Sequence, residues 1–246
     1  MQFAPVMPVS AFEKFGSSSK IHMALVQFLS LEPYFQFYRE KIKKGEIVIL
    51  DNGAYEGCQM EAQKLAAWAY KLKPTVLVLP DKPGDYIGTL YKSYDYLDRY
   101  GVPNQSMMVL HAPDGDLREF EVAYRSCRVQ WVGFSRLTKS YSPAMRWPMH
   151  RVLFAAHLQA FEYWRRDLTH HALGMLNGNV EELKELASLG FNSADSSAPI
   201  WRGLHGYKLQ DKWPNYSFDA EIDPAARYSG LAEANLKEVQ SACRCL

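Results

Sequence analysis

The stretch Leu189–Gly206, LGFNSADSSAPIWRGLHG, shows the pattern that recurs through most of the chain. A helical segment stops at Gly190, an apolar strand follows over Phe191–Ala194, and Asp195 comes directly after it. In an α/β barrel, the residues that follow the parallel strands converge on one face, where barrel enzymes hold their active sites. Asp195 is therefore a candidate nucleophile, and the other strand ends should supply its partners.

Short apolar runs followed by longer amphipathic segments are found along the whole chain. They predict eight strands, at Phe3–Val9, Ile21–Phe28, Glu46–Leu50, Thr75–Pro80, Ser106–Leu110, Val129–Val132, His170–Leu173 and Phe191–Ala194. They predict helices at Leu31–Lys44, Glu61–Leu72, Asp85–Tyr100, Leu117–Ser126, Met149–Arg166, Val180–Leu189 and Leu231–Ala242.

This alternation in 246 residues favours an α/β fold, a (β/α)8 TIM barrel. We expect a single domain with the barrel over about residues 2–206 and a C-terminal extension over 207–246. A doubly wound sheet is the alternative, but the early loop Gly16–Lys20 (GSSSK) is not the G-x-G-x-x-G turn that such folds use.

Composition and charge give only broad limits on function. Hydrophobic residues make up 48% of the chain, enough for a sizeable core, and the net charge of +1 gives no overall signal for nucleic acid. No apolar run approaches the roughly 20 residues of a membrane span. The four cysteines do not form a disulfide framework in so long a chain, and Cys243 and Cys245 lack a second ligand pair for zinc. We therefore expect a cytoplasmic protein without membrane contact.

Several residues that directly follow strands carry chemistry or allow close approach of a ligand. They are Asp51, Asp81, His111, Gly133, Gly174 and Asp195. One aspartate after a strand is usually a turn or cap residue, but three are better explained by a shared pocket. A rigid Asp81 could pair with two N–H groups of a planar ligand, and His111 could donate or accept toward a carbonyl oxygen. Glycines would let backbone N–H groups approach the ligand.

Other aromatic and imidazole side chains lie near these positions in sequence. Tyr55, four residues after Asp51, could lie flat against a planar ligand. His22, His170 and His171 lie within or before strands, and we interpret them as packing or supporting residues.

Taken together, these strand ends resemble the tRNA-guanine transglycosylase superfamily over residues 3–206. The matching segments are Asp51–Glu56 (DNGAYE), Asp81, Leu110–Ala112, Val132–Phe134, Ala172–Leu176 and Leu189–Gly206. The first is similar to the family's aspartate-serine-glycine-glycine-phenylalanine-glutamine motif, and the last to the stretch around its nucleophilic aspartate. Each match is weak alone, but six in the right order at strand ends make the resemblance specific.

The resemblance implies a glycosyltransferase that exchanges bases without a cofactor. Asp195 would attack C1′ of a guanosine nucleotide and form a covalent glycosyl-enzyme, while Asp51 would serve as general acid and base. The residues implied to bind the base are Asp81, His111, Tyr55, Gly133, Leu173 and Gly174. Of these, Asp81 and His111 would read the edge of the base, and Tyr55 and Leu173 would enclose its ring.

Departures from the family change the expected substrate. The zinc-binding Cys-x-Cys-x-x-Cys…His site after the nucleophile is missing, since no cysteine lies between Asp195 and Cys243. His111 and Tyr55 replace a glutamine and a phenylalanine, and the chain is shorter than typical bacterial members. Small relatives without zinc insert 7-deazaguanine bases into DNA. We therefore favour guanine exchange in DNA, with a free base such as 7-cyano-7-deazaguanine, over exchange in tRNA.

A target base in duplex DNA must be flipped out or presented single-stranded. The basic residues expected to contact phosphates are Arg136, Lys139 and Arg202, with Lys82 and Lys208 as further candidates. Each of them alone could equally be solvated surface charge. A homodimer or a partner protein could also help to hold the polymer.

Two other classes of function compete with base exchange. A metal-dependent barrel hydrolase would use Asp51, His111, His171 and Asp195 as ligands, although the chain lacks paired histidines at the end of its first strand. A non-catalytic module that binds nucleic acid or a partner subunit is the third class. The presence of both Asp51 and Asp195 argues against it.

Overall fold

The computed structural model describes residues 1–54, 57–111, 117–136, 150–175, 178–211 and 229–244. Within these residues the strands are β1 (Gln2–Pro5), β2 (Ile21–Leu25), β3 (Ile47–Asp51), β4 (Val76–Val78), β5 (Gln105–Leu110), β6 (Trp131–Ser135), β7 (Thr169–Leu173) and β8 (Ser193–Ser196). All pairings are parallel, in the order β1-β8-β7-β6-β5-β4-β3-β2. Since β1 and β2 also lie close together, the sheet is a nearly closed barrel, and the (β/α)8 prediction is confirmed.

The helices surround the barrel. Those in the described residues are α1 (Phe12–Phe15), α2 (Glu32–Lys43), α3 (Ala62–Leu72), α4 (Tyr86–Tyr100), α5 (Leu117–Arg125), α6 (His150–Ala160), α7 (Val180–Ser188), α8 (Ala198–Leu204) and α9 (Ser229–Arg244). In the C-terminal extension, α9 packs against α7, α8 and β1. Among the described residues, no helix is both long and apolar enough to cross a membrane.

Several predicted segments differ from the structure: the first strand ends at Pro5 and not at Val9, and the second ends at Leu25 and not at Phe28. One long helix over Met149–Arg166 is wrong, because α6 ends at Ala160 and Glu162 then takes a left-handed backbone conformation with φ of 59°. The segment after Asp195, where no helix is predicted, contains α8. Pro199 lies in the first turn of α8, where its missing N–H removes no helical hydrogen bond.

Successive side chains along each strand point alternately into the barrel interior and outward into the layer beneath the helices. On β5, Met107 and Val109 face the interior, while Met108 and Leu110 pack in the outer layer. The interior core is made of Ala4, Val6, Ile21, Met23, Leu25, Ile49, Val76, Val78, Met107, Val109 and Trp131. This apolar column is the base on which the residues at the carboxyl ends of the strands are placed.

A charge cluster, buried except for Lys20, lies at the opposite, amino-terminal ends of β2 and β3. Glu46 contacts His22 Nε2 at 2.6 Å, Lys20 Nζ at 3.0 Å and Lys41 Nζ at 3.2 Å. Desolvation raises the pKa of Glu46, but hydrogen bonds with His22, Lys20 and Lys41 outweigh it and lower the pKa to about 2. The cluster therefore stabilises the fold while Glu46 is ionised.

We predict that Glu46→Gln lowers the free energy of unfolding by about 1–3 kcal/mol at neutral pH, the range for hydrogen bonds to charged groups. Because the folded-state pKa lies below the ordinary value of 4.5, this contribution is present above that value and is lost as the pH falls towards 2. Urea unfolding of both proteins across this range should show their difference shrinking with acidification.

The control for this variant is Glu13→Gln, on the exposed side of α1. It should change the free energy of unfolding by less than about 0.5 kcal/mol. A Glu46→Gln effect that stays constant from neutral to acid pH would contradict the proposed charge stabilisation.

Candidate active site

A cavity of about 100 Å³ lies at the carboxyl ends of the strands. Its apolar lining comes from Val6, Met23, Leu25, Val78, Val109 and Leu173. Its polar lining comes from Asp51, Asn52, Asp81, His111, Ser135, Arg136, Asp195, Ser196 and Ser197. An apolar wall with a few convergent polar groups is typical of a site for a small molecule.

Most of the predicted site residues meet in this cavity. Those that line it are Asp51, Asp81, His111, Arg136, Leu173, Gly174 and Asp195. Tyr55 and Lys139 lie outside the described residues. Four titratable side chains therefore surround one space. They are Asp51 from β3, Asp81 from just after β4, His111 from just after β5 and Asp195 from β8.

Gly133 requires a correction, because it does not line the cavity. It lies inside β6, which continues to Ser135, so Ser135 and not Gly133 occupies the strand end. A Cβ at position 133 would lie 2.6 Å from Leu173 Cδ1 and 3.0 Å from Met107 Sδ. The glycine makes room for these two side chains in the barrel interior, and its predicted contact with a ligand is not retained.

Arg202, predicted to contact phosphate, also requires a correction. Its side chain is buried, and Nη1 donates to the carbonyl oxygens of Leu209 and Asp211. The guanidinium therefore ties α8 to the segment that follows it. Arg136 is half-buried and lines the cavity, so it remains a candidate for contact with a polymer.

Only one of the two oxygens of the Asp195 carboxylate is hydrogen-bonded to described residues. Oδ1 lies 3.0 Å from His171 Nε2, and the Gly174 N–H donates to the same oxygen at 3.0 Å. Gly174 reaches this position with φ of 68°, which favours glycine. Oδ2 makes no hydrogen bond to a described residue, so it is the oxygen that remains for a ligand in the cavity.

His171 is itself fixed by β8. Its Nδ1 lies 2.7 Å from Ser193 Oγ, and the strand register places His171 directly opposite Ser193. An ionised carboxylate only accepts hydrogen bonds, so the Nε2 of His171 carries the proton. In the neutral ring Nδ1 is then an acceptor, and the Ser193 hydroxyl donates to it.

A second aspartate–histidine pair lies across the barrel. Asp81 Oδ2 is 2.6 Å from His111 Nε2, and Asp81 Oδ1 accepts from Asn52 Nδ2 at 2.9 Å. Asn52 also donates to the Leu79 carbonyl, which fixes its amide. Each carboxylate oxygen of Asp81 retains a second acceptor position, so pairing with two N–H groups of a ligand is still possible.

The orientation of His111 limits what it can do. Both Asp81 and His111 are buried, and His111 Nδ1 has no hydrogen-bond partner among the described residues. Because Nε2–H is directed at Asp81, Nδ1 of the neutral ring carries no proton and can act only as a hydrogen-bond acceptor for a ligand. Only the imidazolium form could donate from Nδ1 to a carbonyl oxygen.

Asp51 belongs both to a turn and to the cavity. The Gly53 N–H donates to Asp51 Oδ2 at 2.9 Å, and Gly53 has φ of 76°. The Asn52-Gly53 pair is therefore the turn that its sequence indicates, and this turn presents Asp51 half-buried at the cavity wall.

The two adjacent histidines of β7 have different surroundings. His170 faces the outer layer, where it stacks on Trp164 with ring centroids 3.8 Å apart, and burial lowers its pKa to about 4. His171 faces the interior and contacts Asp195. The alternation of β7 could have shown this, since Leu173 was predicted to face the pocket and His171 lies two residues before it.

Arg151 contacts the carbonyl of the cavity residue Leu173, and the sequence did not indicate this. Its Nε and Nη2 donate to Glu182 at 2.8 and 2.7 Å, and its Nη1 donates to the carbonyls of Phe134 and Leu173 at 3.2 and 2.8 Å. Both charged side chains are buried. The pair therefore holds the carboxyl ends of β6 and β7 in place beside the cavity.

No family model matches this sequence, and no curated protein shows significant sequence similarity to it. Among the residues that the structure describes, no group of three or more His, Cys, Asp and Glu side chains is placed to hold a metal ion.

We predict that Glu182→Gln destabilises the protein by about 3–5 kcal/mol, because it leaves the buried Arg151 guanidinium without its counter-charge. Urea unfolding at neutral pH measures this change. The matched variant is Glu185→Gln, at an exposed position of the same helix, which should cost less than about 0.5 kcal/mol. Equal effects of the two substitutions would show that the buried pair does not contribute as described.

Proposed function

We propose that this protein is a base-exchange transglycosylase that replaces guanine in a polynucleotide, preferentially DNA, with a 7-deazaguanine. The reaction passes through a covalent bond between Asp195 and C1′ of the nucleotide. The observation that carries the proposal is that Asp51, Asp81, His111 and Asp195 line one cavity beside an apolar wall. The resemblance of the same strand ends to the transglycosylase superfamily supplies the assignment of roles.

The arrangement of Asp195 suits a nucleophile. One carboxylate oxygen accepts two hydrogen bonds, which fix the side chain, and the other is left for the substrate. In the first half of the reaction, Asp195 Oδ2 forms a bond to C1′ while the C1′–N9 bond breaks. The electron pair of that bond leaves with guanine, which takes a proton from Asp51.

The second half of the reaction reverses these steps with another base. N9 of the incoming 7-deazaguanine attacks C1′ and loses its proton to Asp51. The C1′–Oδ2 bond breaks, and its electron pair returns to the Asp195 carboxylate. Two carboxylates with separate duties, one covalent and one for proton transfer, meet this need, as in retaining glycosidases.

Recognition of the base falls to the opposite side of the cavity. Guanine presents adjacent N1–H and N2–H donors, and the free acceptor positions of Asp81 match such a pair. Asn52 and His111 keep the Asp81 carboxylate in one orientation. Leu173 and the other apolar lining residues provide a surface for the ring.

The choice between DNA and tRNA depends on the sequence around the missing zinc motif. No cysteine lies between Asp195 and Cys243, and Cys243 is buried within α9, while Cys245 lies outside the described residues. The zinc region of the family contributes to tRNA binding, so its absence favours DNA. Arg136 at the cavity is the best-placed described residue for a phosphate or sugar contact.

The proposal predicts incorporation of labelled guanine into DNA by the wild-type protein, and a covalent protein–DNA adduct on denaturing gels. Asp195→Asn should abolish the adduct and lower exchange by at least about a thousandfold, the scale for loss of a nucleophile. Asp51→Asn should also lower exchange strongly, because the departing base loses its proton donor.

The control variant is Asp98→Asn, at an exposed position of α4, which should exchange guanine at the wild-type rate. A parallel assay with unmodified tRNA separates the two polymers. Incorporation into tRNA alone would replace DNA as the substrate, and incorporation into neither polymer would rule out the proposed function.

A further inference from the structure

We infer that His171 is a positioning residue that, with the Gly174 N–H, stabilises the Asp195 carboxylate as it leaves the sugar in the second half of the exchange. This inference rests on the proposed function. It assigns to a histidine of the barrel interior a part in the breakdown of the covalent intermediate, separate from base recognition.

The geometry makes the two oxygens of Asp195 unequal. Oδ1 accepts from both His171 Nε2 and the Gly174 N–H, each at 3.0 Å, whereas Oδ2 has no partner among the described residues. When Oδ2 is bonded to C1′, Oδ1 becomes the carbonyl oxygen of the ester. The two donors then point at the oxygen where negative charge returns when the ester breaks.

The surroundings of His171 make this donor rigid. Its side chain is fully buried, and Ser193, at 1% exposure, is bound to its other ring nitrogen. Because both ring nitrogens are hydrogen-bonded, the imidazole has neither a free rotamer nor a free tautomer. A donor held in place away from water stabilises developing charge more than a solvated donor does.

The donor pair acts differently on the two halves of the reaction. In the ester the carboxyl group is neutral, and in the departing carboxylate it carries a full negative charge. Hydrogen bonds to Oδ1 are stronger in the charged form, so they lower the barrier to breaking the C1′–Oδ2 bond. The same bonds make the free carboxylate a weaker nucleophile, so their loss should slow adduct breakdown while leaving adduct formation unchanged or faster.

The test compares wild type, His171→Leu and His171→Gln in two single-turnover measurements. Labelled DNA without added base gives the rate of adduct formation, and excess guanine added to preformed adduct gives the rate of breakdown. For His171→Leu we expect breakdown to slow at least about tenfold more than formation, which is less than the roughly hundredfold to thousandfold for loss of an oxyanion-hole donor because the Gly174 N–H remains. His171→Gln places an amide N–H near Nε2 and should restore most of the breakdown rate.

Thermal unfolding of each variant shows whether it folds, since a leucine beside Asp195 could disturb the barrel. If His171→Leu does not fold, His171→Asn takes its place, because its shorter amide does not reach Asp195. Equal slowing of the two steps, or breakdown at the wild-type rate in the variant without a donor, would overturn this inference and leave the proposed function standing. Failure of the wild-type protein to form any adduct would overturn both.

Discussion

The parallel pairing of β7 with β8 is the constraint on which the candidate site depends. Their register sets His171 opposite Ser193, and alternation along β8 then turns Asp195 into the same interior column. A slip of β8 by one residue would send Ser193 and Asp195 into the outer layer beneath the helices and away from His171. Arg151 supports the neighbouring pairing of β6 with β7, because its guanidinium binds the carbonyls of Phe134 and Leu173 while Glu182 balances its charge.

The cavity contains two aspartate–histidine pairs with different surroundings. Asp195 keeps one oxygen without a described partner, which suits covalent chemistry, whereas both oxygens of Asp81 already accept a hydrogen bond. His171 has both nitrogens hydrogen-bonded, and His111 has one nitrogen left without a described partner. Under the proposed function, the first pair would carry the reaction and the second would recognise a planar base.

The two ends of the barrel differ in how their acidic side chains are paired. At the amino-terminal ends of the strands, Glu46 is surrounded by His22, Lys20 and Lys41, and its charge is balanced within the protein. At the carboxyl ends, Asp51, Asp81 and Asp195 face a cavity, and Asp195 Oδ2 has no hydrogen-bond partner among the described residues. The barrel interior between them is apolar up to the level of His171 and Ser193.

The sequence by itself determined the barrel, since apolar runs with a period of two and helices with a period near 3.6 are local properties. It also determined which acids lie at the strand ends, and so the three carboxylates of the cavity. It misplaced Gly133, because the end of β6 depends on pairing with β7, and it misjudged Arg202, whose burial depends on the segment after α8. Only the tertiary structure decided which oxygen of Asp195 is left without a described hydrogen-bond partner. It alone also shows that Arg151 supports the strands beside the site. Both depend on side chains that are distant in sequence and meet only when the barrel closes.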